Sequence, residues 1–311
     1  MTPRHKLIVL IGPTASGKTG TAIELARRFD GEVISADSRY FYKGMNIGTA
    51  KPTQKEMAGI PHHMIDVTDL NQVWSLALFK REAFKCIDKI TNAGKVPILA
   101  GGTGQYIRAI TEGWEIPLQE PDYVLRDLIT TWGHEIGPKA LHEGLSILDA
   151  KAAENIDYRN MRRTVRAFEV IFKTGYRFSA QYKKSETPFD ITMIGINYPR
   201  TLLYEKVDDR IDVMIEKGFI EEVKLLMDQG YEDALRVISA IGYIEIIDYL
   251  QGKCTLSEAI MLIKRKTRIY VRRQANWFKL TDPAIRWFNP SETMIDEMIA
   301  YLQECGYELR N

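Results

Sequence analysis

The sequence is poor in what would announce a metalloprotein, a disulfide scaffold or a membrane protein. Its 311 residues hold three cysteines, Cys86, Cys254 and Cys305, scattered and without a CxxC pair. Five histidines fall at no metal-ligand spacing, and the adjacent His62 and His63 would point to opposite faces of a strand. Structural zinc and a disulfide framework are therefore not expected, and a reducing compartment is. The longest early apolar run, Leu7–Ile11, falls far short of the ~20 residues of a spanning helix. The opening MTPRHKLIVL lacks the apolar region and small-residue cleavage site of a signal peptide. The expectation is a cytoplasmic protein with no membrane partner. Charge of one sign is not in excess either. The formal net charge is +1, so a nucleic-acid partner would have to show in the distribution of charge.

With 45% hydrophobic and 27% charged residues, the chain can bury one large core or two. KLIVLI (6–11) reads as a buried parallel strand, and a helix follows over 18–29, stopped by Gly31. EVISAD (32–37) is a second strand, 74–93 an amphipathic helix, and KVPILAGGT (95–103) a third strand running into a glycine turn. The alternation predicts a doubly wound parallel sheet. Pro117 and Pro121 interrupt it, and from 122 to 184 only helical patterns occur. ITMIGINYP (191–199) then returns as a buried strand, so the helical stretch reads as an insertion. Helices follow over about 201–229, 234–250, 255–280 and 291–304.

Residues 12–19, Gly12-Pro13-Thr14-Ala15-Ser16-Gly17-Lys18-Thr19, are G-x-x-x-x-G-K-[ST] between a strand and a helix. The glycines let successive N–H groups face an anion, and the following helix adds its positive end. Lys18 supplies a mobile charge, and Thr19 is placed to ligate Mg²⁺. Asp37 ends the second strand, at the edge of a parallel sheet where ligands bind. It is a candidate general base, with helix capping or a magnesium second shell as the plainer roles. Thr103, in GGTGQY, ends a later strand at the same edge.

The basic residues are concentrated. Residues 151–186 hold nine Lys/Arg against four Asp/Glu, with Arg159, Arg162, Arg163 and Arg166 at helical spacing opposite Val165, Phe168 and Phe172. Lys264–Lys279 holds seven Lys/Arg and no acid, interleaved with Tyr270, Trp277 and Phe278. Charge runs are ordinarily solvated faces, but two acid-poor stripes with aromatic neighbours suit RNA with an unstacked base. Three functions fit these residues: a P-loop small-molecule kinase, an RNA-modifying transferase holding a pyrophosphate leaving group, and a nucleotide-switched RNA-binding protein. No apolar run ends in Asp-Glu, and the second uses most features.

Gly12–Thr19, Asp37-Ser38, Pro61–Asp66 (PHHMID), Gly101–Gly104, Asn160–Glu169 (NMRRTVRAFE), Ile241-Gly242-Tyr243 and Arg272–Phe278 (RRQANWF) occur in an order that resembles the tRNA dimethylallyltransferase (tRNA isopentenyltransferase) family. The resemblance covers nearly the whole chain. It implies an α/β fold, a P-loop NTPase-like core with a parallel sheet flanked by helices, plus an inserted all-helical domain. Its implied segments are 1–118 and 188–311 for the core and 119–187 for a domain clasping the anticodon stem-loop. It implies transfer of a dimethylallyl group from dimethylallyl diphosphate to N6 of adenosine 37, flipped into the core. The P-loop would hold the donor's diphosphate, with Mg²⁺ at Thr19. Asp37 would be the base, and Thr14 and Arg210 would steady the leaving group. Asp37, Ser38, Arg39, Tyr40, Thr103, Arg126, Arg162, Arg163, Thr164, Val165, Arg166, Gly242, Tyr243, Arg272, Arg273, Gln274 and Trp277 would contact tRNA. The sequence departs from the pattern at Tyr40, where many members carry Gln. An adenylate isopentenyltransferase shares much of the core, but the insertion and basic helix favour tRNA. A monomer is expected.

Overall fold

A central strand with apolar side chains on both faces requires cover on both. In the computed structural model, which describes residues 5–72, 74–116, 121–181 and 183–310, strand β1 (His5–Ile11) takes that place. Leu7 through Ile11 are fully buried. Helix α1 (Lys18–Arg28) leads to β2 (Gly31–Ser35), followed by the short α2 (Gln54–Met57) and β3 (His62–His63). Then come α3 (Leu76–Asn92), β4 (Val96–Gly101) and α4 (Gly104–Thr111). Beyond them lie β5 (Trp114–Glu115), helices α5 (Tyr123–Ile136), α6 (Pro138–Leu148), α7 (Ala150–Glu154) and α8 (Met161–Thr174), and β6 (Lys183–Lys184). The chain then forms β7 (Phe189–Ile196), α9 (Arg200–Glu216), α10 (Phe219–Asp228), α11 (Glu232–Ile238), α12 (Tyr243–Leu250), α13 (Leu256–Ala275), β8 (Ile285–Phe288) and α14 (Met294–Glu304).

The main sheet has six parallel strands in the order β3-β2-β4-β1-β7-β8. Strand alternation divides the core. Leu7, Val9 and Ile11 face Phe41, Phe79 and Ile107, while Ile8 and Leu10 face Leu25, Phe29, Met298 and Leu302. Truncating one of these central aliphatics to alanine costs about 2–5 kcal/mol. The P-loop leaves the end of β1 and Asp37 follows β2, so the sheet delivers both to its carboxyl edge.

The chain divides into two compact units, residues 1–111 with 187–311, and residues 112–186. The expected boundary at 118/119 lies outside the described residues. In the second unit Ile129, Leu141, Leu145, Ala167 and Phe168 form a core of their own. The structure corrects several expectations. Lys183–Lys184 pairs antiparallel with Trp114–Glu115, where only helix was expected. The single helices expected over 201–229 and 234–250 are each two. Gly218 (φ 96°) breaks the first, and Ser239 (φ 49°) with Gly242 (φ 101°) breaks the second, because left-handed residues cannot continue a helix. Helix α13 stops at Ala275, short of 280. Strand β8, four residues after a proline-containing turn, was too short to read. Phe172 meets the Phe168 ring at 5.5 Å between centroids but remains exposed on its other side. Among the described residues no helix is long and apolar enough to cross a membrane.

Candidate active site

The P-loop takes its conformation from two left-handed residues, Ala15 (φ 66°) and Gly17 (φ 87°). Gly17 is the N-cap of α1 and offers no side-chain cap, which leaves first-turn N–H groups for an anion. Ser16 Oγ is buried with no hydrogen-bond partner. The Lys18 ammonium donates to the Pro13 carbonyl at 2.5 Å. Burial lowers the Lys18 pKa to about 7, against the Asp37 carboxylate, with Arg210 pushing the same way as burial. A buried ammonium gains from an incoming anion, so the loop favours phosphate on both backbone and side-chain grounds.

A cavity of about 530 Å³ opens above this loop. Thr14, Ala15, Ser16, Gly17, Lys18 and Thr19 line it together with Asp37, Ser38, Arg39, Tyr40, Thr103, Arg210 and Arg273. Asp37 lies two residues beyond the end of β2, in a turn where its Oδ1 accepts the Arg39 N–H at 2.9 Å. It caps no helix, and its carboxylate has capacity left for a second donor. The Ser38 N–H reaches Thr103 Oγ1 at 3.5 Å, joining the two strand ends. Arg210 donates to the Thr49 carbonyl at 3.2 Å, and the Tyr40 hydroxyl donates to Ala50 O at 2.9 Å. Burial, with Asp37 adding to it, pushes the Tyr40 phenol up to about 12, so it stays a donor. Tyr270 is pushed up to about 12 for the same two reasons.

The rest of this wall belongs to no sequence motif. Val207, Ile211, Met214, Phe219 and Ile263 form an apolar patch around Arg210. Positions 207, 210, 211 and 214 are one helical stripe, so an arginine set among apolar residues was the available signal. His62 also lines the cavity. Its Nδ1 lies 2.8 Å from the Ile60 carbonyl, its Nε2 is buried without a partner, and burial lowers its pKa.

Other expected residues lie elsewhere. Gly12 and Pro13 border a smaller neighbouring cavity with Arg272 and Gln274. Gln274 is buried, where its Oε1 accepts the Thr14 N–H at 2.9 Å and its Nε2 donates to Gly102 O at 3.0 Å. It staples the P-loop to the glycine turn, and both ends of its amide are engaged within the protein. Tyr243 is fully buried, Gly242 beside it is buried, and Thr164 and Val165 are buried in the second unit. Arg272, Arg273 and Trp277 are exposed, with the inner edge of the Trp277 side chain lying against Gly104. The stripe expected from Lys264 onward is partly neutralised by other helices. Lys264 pairs with Asp212 at 2.7 Å, Lys266 with Glu245 at 2.5 Å, and Arg268 with Asp208.

In the second unit, Arg126 and Arg166 both pair with the buried carboxylate of Glu169, at 2.9 and 2.5 Å, and Glu169 also accepts the Asp122 N–H at 2.7 Å. Arg162 and Arg163 are exposed on α8.

A family model described as IPP transferase matches residues 40–281. A tRNA dimethylallyltransferase of Thermomicrobium roseum is 42% identical, covering 94% of this chain and 88% of its own. Among solved structures, the full-length tRNA isopentenylpyrophosphate transferase of Bacillus halodurans aligns with TM-score 0.71 at 39% identity over 96% of both chains. A eukaryotic dimethylallyltransferase acting on tRNA aligns with TM-score 0.80 at 26% identity, over 99% of this chain and 81% of its own.

Proposed function

From the premise that the chain belongs to the IPP transferase family, we propose that its cavity transfers a dimethylallyl group from dimethylallyl diphosphate to N6 of adenosine 37 of tRNA, releasing diphosphate. The protein is a transferase that modifies tRNA. The observation that carries the finer reading is one cavity with three kinds of wall: an anion-binding loop, a carboxylate, and an apolar patch set around an arginine. That combination suits a short hydrocarbon attached to a diphosphate.

The P-loop N–H groups, Thr14, Lys18 and Arg210 hold the diphosphate, and the patch around Val207, Ile211 and Met214 holds the dimethylallyl tail. An exocyclic adenine amine is a weak nucleophile because its lone pair is delocalised. Asp37 accepts its proton as the carbon–nitrogen bond forms and the carbon–oxygen bond breaks. Arg210 and Lys18 meet negative charge as it grows on the leaving oxygen, where fixed donors act most strongly. The donor set also fits Mg²⁺. Thr19 lines the cavity beside the loop, and its hydroxyl would hold the ion there. Such an ion would neutralise charge on the diphosphate. Ser38, Arg39, Thr103, Arg272, Arg273 and Trp277 are the core residues proposed to meet tRNA, and Arg162 and Arg163 those of the second unit.

The test is incubation with labelled dimethylallyl diphosphate and unmodified tRNA, beside ATP with a panel of small alcohols. Label on tRNA is expected. Phosphorylated alcohols and unlabelled tRNA would replace this reading with a kinase.

A further inference from the structure

Four donors converge on one carboxylate that belongs to no sequence motif described above. Glu222, on α10, accepts the N–H of Asn46 (3.0 Å) and Ile47 (2.7 Å) on Oε2 and that of Gly48 (3.1 Å) on Oε1. The Tyr243 hydroxyl donates to the same Oε1 at 2.6 Å. Burial and the adjoining carboxylate hold the Tyr243 phenol well above its ordinary pKa, so it remains a donor. Three successive backbone N–H groups thus form an anion-binding nest filled by the protein's own side chain. The loop is tied at its other end as well. Buried Lys51 donates to Tyr42 O (2.7 Å), Asn46 Oδ1 (3.1 Å) and Asp66 Oδ1 (2.5 Å). Gly48 has no room for a side chain, because a Cβ there would lie 2.1 Å from the Phe219 ring.

The next two residues of this loop hold the cavity wall. Thr49 O receives Arg210, and Ala50 O receives the Tyr40 hydroxyl. We infer that Glu222 is a positioning residue for prenyl transfer: it fixes residues 46–50 so that the Thr49 and Ala50 carbonyls aim Arg210 and Tyr40 at the diphosphate. This rests on the function proposed above. Glu222 touches no substrate and works at one remove, through two backbone carbonyls.

Glu222→Gln replaces one acceptor oxygen with an NH₂ group that cannot accept an N–H. A misplacement of about 1 Å remote from the chemistry can cost about 100-fold, so kcat should fall roughly 10–100-fold, with tRNA affinity within about twofold. Inorganic diphosphate, titrated calorimetrically without tRNA, should bind several-fold more weakly. In an Arg210→Ala, Tyr40→Phe background, Glu222→Gln should cost less than about twofold more, because both groups it aims are gone. Effects that multiply fully across this cycle, or unchanged diphosphate affinity in Glu222→Gln, would overturn the assignment. If Glu222→Gln does not fold, Glu222→Asp and Tyr243→Phe carry the same cycle, each expected to show a smaller loss of the same kind. Diphosphate binding needs no prenyl transfer. A wild type that fails to modify tRNA, yet loses diphosphate affinity on Glu222→Gln, refutes the function and leaves the positioning role standing.

Discussion

The two walls of the cavity are built in opposite ways. The P-loop wall comes from eight consecutive residues whose backbone makes the site, with Ala15 and Gly17 in left-handed conformations and α1 uncapped behind them. The facing wall, with loop 46–50 and Arg210 on α9, is braced from behind by Glu222 on α10 and Tyr243 on α12. The first depends on conformation that is local in sequence, the second on contacts spanning up to 176 residues. A site can therefore be half legible, with its anion-binding half written as a motif and its positioning half visible only once the chain has folded.

Both walls answer to Asp37, which stands between them, so its loss gives the largest expected effect. Asp37→Ala should slow prenyl transfer by roughly 10²–10⁴-fold, as expected for a lost general base, with tRNA affinity near normal. Single-turnover transfer beside equilibrium tRNA binding separates the two; near-normal turnover removes Asp37 from the base role. Arg210→Ala breaks the assembled wall alone and should lower kcat by about 10²–10³-fold, the usual cost of one fixed donor to developing negative charge. A rise in KM with kcat intact would mean that Arg210 only binds the donor.

Glycine substitutions compare the walls directly. At Gly48 the obstacle is space, the Phe219 ring at 2.1 Å, and overpacking costs about 1–3 kcal/mol. At Gly17 a methyl group would have open space, and the cost is the left-handed backbone, about 1–2 kcal/mol. Denaturant unfolding of Gly48→Ala should show the larger loss. A shortened side chain at Phe219 should then rescue Gly48→Ala and leave Gly17→Ala unimproved.

Much of the core was open to sequence reasoning for the same reason as the P-loop. Leu7–Ile11 could only be a central strand, and Gly12–Thr19 declared its chemistry locally. The basic stripes were harder, because a linear window counts charge and not partners. Lys264–Lys279 contains no acid, yet α9 and α12 bring Asp208, Asp212 and Glu245 to it. Within Asn160–Glu169 the reverse holds, since Glu169 claims Arg166 and, from farther away, Arg126. Strand β8 and the breaks at Gly218 and Gly242 were lost because four-residue strands and single left-handed residues leave little periodicity.

This distinction makes the arginines of α8 testable. Replacing Arg162 and Arg163 together by Ala should lower the slope of log affinity against log salt for tRNA by about 1–2, roughly one per phosphate contact. Replacing Arg126, already committed to Glu169, should change that slope little and cost stability in the second unit instead. An unchanged slope in the double variant would remove α8 from the RNA surface.

The smallest effect is a proton. Burial holds Lys18 at about 7, below its ordinary value. The free protein therefore carries Lys18 largely neutral above pH 7, while bound diphosphate favours the ammonium. Diphosphate binding at pH 8 should take up close to one proton more in the wild type than in Lys18→Met, and affinity should fall as pH rises through 7. The same depressed pKa means that the folded state binds fewer protons than the unfolded chain between about pH 7 and 10.5, so Lys18 raises stability as pH increases across that window. Calorimetry in two buffers of different ionisation enthalpy reads the uptake; equal uptake in both proteins would contradict the buried lysine.

On the proposed function the loop holds a leaving group and not a transferred phosphoryl group. Dimethylallyl diphosphate carrying ¹⁸O at the carbon–oxygen–phosphorus bridge tests it in one turnover with unmodified tRNA. Carbon–oxygen cleavage predicts all of the ¹⁸O in released diphosphate and none in the modified adenosine. Label in free dimethylallyl alcohol, or a phosphorylated product, would place the broken bond at phosphorus and contradict it.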